Sequence, residues 1–321
     1  MPYISYFETS KKHEYTFIIK AMSEAKKLII VTGPTGIGKT DLSIGIAQTL
    51  GTEIISCDSR QIYRELTIGA ASPSAEQLSA IRHHFVGQLS VTDYYSAGQF
   101  EIDALKLINK LFLKFNKILM VGGSGMYIDA IVRGIDDLPT IAPDLREWLT
   151  SRFLSEGIAP LRDELSWLDP EYYASSDIDN PKRILKALEV IAATGKSYSS
   201  LRTGQPKQRP FQIEMIGLNM NRDELYRRID ARVDAMVAAG LVDEARSLYQ
   251  YRHLNALNTV GYKELFDHFD GLCSLDEAIT LIKRNSRRYA KRQLTWFNRY
   301  PQMRWFDRNN EQQIYDHIKS L

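Results

Sequence analysis

Gly33-Pro34-Thr35-Gly36-Ile37-Gly38-Lys39-Thr40 follows the apolar run Leu28 to Val31 and precedes a helical pattern, the setting in which G-x-x-x-x-G-K-[ST] cradles phosphates. Glycines let the backbone curl until successive N–H groups point inward, and the next helix aims its positive N-terminus at the same spot. All eight residues are thus expected to bind phosphate, with Lys39 reaching the outer phosphates and the Thr40 hydroxyl ligating Mg²⁺. The competing reading is a Gly-rich turn. The flanking strand and helix predict an α/β fold, a P-loop NTPase-like parallel sheet flanked by helices.

Such a loop leaves open which bond breaks, because kinases, NTPases and transferases that release diphosphate all use it. A second apolar run, Glu53 to Cys57, ends in Asp58-Ser59-Arg60-Gln61-Ile62-Tyr63. This strand is expected beside the P-loop strand, where in an open α/β sheet a carboxylate at the C-terminal end faces the bound ligand; alternatively, Asp58 caps a helix beginning at Ser59. A third run, Lys117 to Val121, ends in Gly122-Gly123-Ser124-Gly125-Met126-Tyr127. An ATP-hydrolysing motor more often carries an acid there to hold Mg²⁺ or poise water, and this chain carries none.

The 321 residues, 44% of them hydrophobic, suffice for one large core or two modest ones. No apolar segment approaches the length of a membrane span, and early Lys11, Lys12 and Glu14 replace a signal-peptide core, so a cytoplasmic protein without membrane contact is expected. Cys57 and Cys273 are far apart and read as reduced thiols. His83 and His84 are adjacent, cannot share one face of a regular element, and read as structural. A net charge of +2 hides an uneven distribution: Lys283 to Phe306 contains eight basic residues and no acid. On a helix, Arg284, Arg287, Arg288, Lys291 and Arg292 form one stripe, either a solvated face or a surface for nucleic acid. Tyr289, Trp296 and Phe297, interleaved with it, either stack on unpaired bases or belong to the core.

Between about Ile141 and Gln208 the pattern is mainly helical, with one helix after Pro143 and another from Pro181 to about Thr194. Thr203 to Pro210 reads as a linker, and Phe211 to Leu218 returns to strand character. The expected organisation is an extension at 1–26, a catalytic core at 27–140 and 209–321, and a helical insertion at 141–208.

In order, GPTGIGKT, IISCDSRQIY, HHFVGQLSVTDYYSAGQF, ILMVGGSGMY, DNPKRILKALEV with TGKS, GLNMNRDELYRRIDARVDAMVAAGLVDEA, VGYKE and RRYAKRQLTWF make the chain resemble the tRNA dimethylallyltransferases, or tRNA isopentenyltransferases. The resemblance covers about Lys27 to Asp307. It implies transfer of a dimethylallyl group from dimethylallyl diphosphate to N6 of the adenosine 3′ of the anticodon (tRNA position 37), with Mg²⁺ as cofactor and the anticodon stem-loop as partner of a monomer. Implied catalytic residues are Asp58, accepting a proton from the amine, Thr35, and a distal arginine, Arg232 or Arg228. The two arginines read otherwise as members of a surface ion-pair network with Asp223, Glu224 or Asp234. Implied tRNA contacts are Asp58, Ser59, Arg60, Gln61, Ser124, Arg146, the run Lys182-Arg183-Ile184-Leu185-Lys186, and Arg287, Arg288, Lys291, Arg292 and Trp296. Ser124 reads otherwise as a turn residue and Arg146 as helix surface.

The chain departs from the family pattern at Ala70 and Ser72, losing a hydroxyl and a cation near the diphosphate, and at Lys182 and Lys186, which replace a glutamine and an arginine. Three rivals remain. An adenylate isopentenyltransferase acting on free AMP, ADP or ATP has little use for the basic stripe. A small-molecule kinase uses the loop for ATP, and a non-catalytic RNA-binding P-loop protein does not need Asp58.

Overall fold

The computed structural model describes residues 26–139 and 141–321; apart from Lys26, the expected extension lies outside the described residues. Strand β1 (Lys27–Thr32) leads through the phosphate loop into α1 (Lys39–Leu50), followed by β2 (Ile54–Ser56), α2 (Ala75–Ala80), β3 (His83–His84), α3 (Ala97–Leu111), β4 (Lys117–Gly122) and α4 (Gly125–Val132). Five helices come next: α5 (Pro143–Glu156), α6 (Ala159–Leu168), α7 (Pro170–Ser175), α8 (Pro181–Thr194) and α9 (Tyr198–Leu201). The chain then forms β5 (Gln212–Asn219), α10 (Arg222–Ala238), α11 (Leu241–Ser247), α12 (Tyr262–Phe269), α13 (Leu275–Phe297), β6 (Arg304–Asp307) and α14 (Glu311–Ser320).

The six strands form one sheet in the order β3-β2-β4-β1-β5-β6, parallel throughout. β1 shows why. Its aliphatic residues are fully buried, with Leu28 and Ile30 in one core and Ile29 and Val31 in the other, as a strand covered on both faces requires. Helices α3, α4 and α12 supply the first core, and α1, α10 and α14 the second. The order corrects one expectation: β4 separates β2 from β1, so the Asp58 strand is not beside the P-loop strand. From β1 the chain goes outward to β2, whereas from β4, also next to β1, it crosses to β5. The crevice outside the C-terminal ends of β1 and β4 is thus the place where an open α/β sheet binds ligands.

Local signals position the helices. Ser274 caps α13 and Glu277 closes its capping box; Asn221 accepts from the N–H groups of Asp223 and Glu224 at the start of α10. Pro181 occupies the first turn of α8, which ends at Thr194 before Gly195. The basic stretch Lys283 to Phe306 is not one element, because α13 stops at Phe297 and Arg304–Asp307 is a strand paired with β5.

The described residues divide into a unit of 26–132 and 209–321 and a second unit, Arg133–Gln208, so the first boundary falls before the expected 140/141. The second unit has its own core of Leu149, Leu161, Leu165, Tyr172, Ile184, Ala187, Leu188 and Ile191, with Leu185 packed against it. Ile184 and Leu185 are therefore corrected from RNA contacts to packing residues. In the same unit Arg146 and Lys186 both face Glu189, at 3.3 and 3.7 Å, while Lys182 and Arg183 are exposed. Among the described residues, no helix is long and apolar enough to cross a membrane.

Candidate functional site

The phosphate loop takes the shape its sequence demands. Gly36 and Gly38 sit at φ 80° and 84°, where side-chain-bearing residues are strained, and a Cβ on Gly36 would come within 2.7 Å of Ile229. α1 begins at Lys39 with no side chain capping it, so its first N–H groups and the positive end of its dipole are left for an anion. Lys39 Nζ meanwhile donates to the carbonyls of Gly33 and Pro34, both at 2.9 Å. Its pKa is lowered to about 8, first by burial and then by Arg232, against the opposing pull of Asp58 and Cys57.

The loop lines a cleft of about 1070 Å³ whose walls come entirely from the first unit. Asp58 lies in its wall, and its Oδ1 accepts from the N–H groups of Arg60 (2.8 Å) and Gln61 (3.4 Å). Asp58 therefore closes a turn rather than capping a helix, and no helix starts at Ser59. Arg232 and Arg228, one turn apart on α10, also line the cleft. Burial lowers the pKa of Arg232 below the arginine range, while Asp58 opposes the shift. Neither arginine joins the surface network that was the alternative: Asp234 binds Lys283 at 2.6 Å, and Glu224 binds Asn309 at 3.1 Å.

Thr35, Thr40, Ser59, Arg60 and Gln61 line the same cleft. The Gln61 amide is already held, accepting from Ser56 Oγ and donating to the Ala71 carbonyl, each at 3.1 Å. Ser124 is buried outside the lining; its Oγ accepts from the Ser59 N–H at 2.8 Å, so it positions the Asp58 turn. Of the two departures near the expected diphosphate, Ala70 borders the cleft and Ser72 turns away to the Leu66 carbonyl at 3.1 Å.

Helix α13 divides its cations. Arg284, Arg288 and Arg292, spaced four residues apart, line the cleft with Tyr289. Arg287 is instead paired with Asp230 at 2.5 Å, and Lys291 is exposed outside the lining. Trp296 is half-buried: its Nε1 donates to Asp129 at 3.2 Å, Arg299 covers its ring at 3.9 Å, and Gly125 lies against it.

Sequence reasoning passed over Glu244 and Gln293. Glu244 accepts from the N–H groups of Thr67, Ile68 and Gly69, the Thr67 hydroxyl and the Tyr262 hydroxyl, which anchors the cleft wall at Gly69 to Ala71. The glutamate of LVDEA and the tyrosine of VGYKE were visible as motif members, but their meeting depends on how α11 and α12 pack. Gln293 bridges the phosphate loop to the β4 loop; nothing local marks that glutamine.

A divalent cation fits this site only in company. Thr40 lines the cleft, and its hydroxyl with phosphate oxygens and water would make the all-oxygen set that Mg²⁺ prefers. Among the described residues no group of three or more His, Cys, Asp or Glu could hold a metal alone.

Residues 61–300 match the family model described as IPP transferase. The chain is 50% identical over 291 residues to tRNA dimethylallyltransferase 2 of Parabacteroides distasonis, covering 91% of this chain and 97% of that one. It is 51% identical over 296 residues to tRNA dimethylallyltransferase 1 of Bacteroides fragilis, covering 92% and 98%. Among solved structures it resembles the tRNA isopentenylpyrophosphate transferase of Bacillus halodurans, with a TM-score of 0.68 and 37% identity over 92% of this chain and 96% of that one.

The Lys39 shift has a measurable sign. With a pKa of about 8, roughly half of the free protein carries an uncharged Lys39 at pH 8, and an anion in the loop favours the charged form and draws a proton in. Calorimetric titration with inorganic diphosphate at pH 8, in buffers of different ionisation enthalpy, should register net uptake of up to about half a proton. The uptake should vanish in Lys39→Met. A buffer-independent heat in the wild type would contradict the assignment.

Proposed function

The chain belongs to the tRNA dimethylallyltransferase (IPP transferase) family, and we propose that it transfers the dimethylallyl group of dimethylallyl diphosphate to N6 of the adenosine 3′ of a tRNA anticodon. The observation that carries this reading is a cleft lined together by the phosphate loop, Asp58, Arg232 and the α13 cations Arg284, Arg288 and Arg292. It joins a diphosphate cradle to a cationic surface for RNA.

The chemistry follows from the charges. As the allylic C–O bond lengthens, negative charge gathers on the bridging oxygen of the departing diphosphate. Loop N–H groups and Arg232 line the cleft where that charge would develop, and Lys39 reaches it by turning from the Gly33 and Pro34 carbonyls onto the diphosphate oxygens. Mg²⁺ held by the Thr40 hydroxyl and the diphosphate oxygens would supply further positive charge there. The adenine amine is a weak nucleophile, because its lone pair is delocalised into the ring. It must lose a proton as the new C–N bond forms, and of the cleft carboxylates Asp58, the one that acts on both Lys39 and Arg232, is assigned to accept it. Thr35 orients the amine or a diphosphate oxygen. The base has to leave its stack to enter, and Gln61, with one amide hydrogen and one lone pair still available, can read an adenine edge. Arg288 and Arg292 take RNA phosphates, while Lys182 and Arg183 offer exposed cations on the insertion. The tRNA substrate puts the reaction in the cytoplasm.

Incubating the pure protein with radiolabelled dimethylallyl diphosphate and, separately, tRNA, AMP and ATP tests the reading. Label should enter tRNA alone, and Asp58→Asn should cut turnover by roughly 10²- to 10⁴-fold while substrate affinities stay within about threefold. Label in AMP but not tRNA would overturn the choice of acceptor. Undiminished turnover in Asp58→Asn would remove the general base.

The cationic face makes a separate prediction. Replacing Arg284, Arg288 and Arg292 with alanine should weaken anticodon stem-loop binding and flatten its salt dependence, by roughly 0.7 to 0.9 in slope for each RNA phosphate that the variant no longer neutralises. Arg287→Ala, which removes a cation already paired with Asp230, should change the slope less. Fluorescence titrations over a range of KCl concentrations decide it; equal slopes for the triple variant and the wild type would make the stripe a solvated face.

A further inference from the structure

Gln293 is 5% exposed and uses both ends of its amide. Oε1 accepts from the Thr35 N–H at 2.8 Å, and Nε2 donates to the Gly123 carbonyl at 2.9 Å. A backbone N–H only donates and a carbonyl only accepts, so the amide can be seated one way round. Gly123 makes the close approach possible: a Cβ there would lie 2.4 Å from Gln293 Nε2 and 3.6 Å from Lys39 Nζ. The next residue, Ser124, accepts from the Ser59 N–H, and Ser59 follows Asp58. One neutral side chain therefore ties the start of the phosphate loop to the turn that holds the Asp58 arm.

The position also selects the residue type. Gln293 lines the cleft beside Arg288, Tyr289 and Arg292, on a helix whose neighbouring cleft positions carry cations. A lysine or arginine could not accept from Thr35, and a carboxylate could not donate to Gly123. A side-chain amide of this length does both. Leucine, of similar size, would leave both backbone groups without their partner.

We propose that Gln293 is a positioning residue for prenyl transfer: it fixes the Thr35 backbone, so that the Thr35 hydroxyl keeps its place against the leaving diphosphate or the attacking amine. This rests on the prenyl-transfer reading of the cleft. Both ends of the Gln293 amide are held by backbone groups. Its contribution is orientation, where a displacement of about 1 Å can cost on the order of 10²-fold in rate.

The test is a double-mutant cycle in kcat and KM, with dimethylallyl diphosphate and an anticodon stem-loop RNA as substrates, at a temperature where thermal melts show every variant folded. Gln293→Leu should lower kcat about 10- to 100-fold with both KM values within about threefold of wild type. In a Thr35→Val background the same change should cost less than about twofold, because residues that act through one another are not additive. Should Gln293→Leu fail to fold, Gln293→Asn, one methylene too short to span both partners, is read in its place. Multiplying effects in the double variant, or a wild-type kcat in the single one, would overturn the inference. A wild-type protein that transfers no dimethylallyl group would overturn the prenyl-transfer reading, and this inference with it.

Discussion

Lys39 and Arg232 share the cleft, where Arg232 disfavours the Lys39 charge and Asp58 is the carboxylate that pulls on both. Taking cations out of water is costly unless an anion compensates them, and here one carboxylate faces two. The protein meets part of that cost by turning Lys39 onto the carbonyls of its own loop. The remainder is an unfilled demand for negative charge, set against the open N–H groups at the start of α1. In the proposed reaction a diphosphate would answer it in the ground state, and answer it better as the allylic bond breaks and its charge grows. Such a site favours departure of the leaving group over mere retention of the substrate.

Helix α13 organises the rest. Ala278, Ile282, Ala290 and Phe297 are buried, Lys283 and Arg287 are paired with Asp234 and Asp230 on α10, and Arg284, Arg288 and Arg292 line the cleft. The last three sit at a spacing where like charges repel by a few tenths of a kcal/mol per pair. A polyanion would turn that repulsion into binding energy. The pairing of α13 with α10 also braces the helix that carries Arg232, so in the proposed reaction one packing contact would serve both the RNA-facing cations and the distal arginine.

The phosphate loop, the strands at Leu28, Ile54 and Lys117, and the helix from Pro181 to Thr194 were legible because each rests on local signals: glycines, apolar runs and a proline before a helical period. The sheet order was not, since parallel strands pair through crossovers and proximity in sequence says nothing about which strand lies next to β1; β4 came between. Ile184 and Leu185 lie within a cationic motif, yet the helix turns them toward Leu149 and Leu161. Trp296 follows a run of basic residues, but its indole is claimed by Asp129 and Arg299. The two aliphatic residues were read by their neighbours in sequence and placed by their neighbours in space. Gln293 and Glu244 went unseen for the converse reason, because ordinary polar residues acquire their roles only once distant loops converge on them.

A crystal structure of the protein with a non-hydrolysable analogue of dimethylallyl diphosphate and Mg²⁺ tests the central claim most directly. The account predicts the diphosphate on the loop N–H groups, Lys39 Nζ moved from the Gly33 and Pro34 carbonyls onto its oxygens, and the allylic carbon between the leaving group and the Asp58 carboxylate. Lys39 still bound to those two carbonyls, with the diphosphate seated elsewhere, would contradict it.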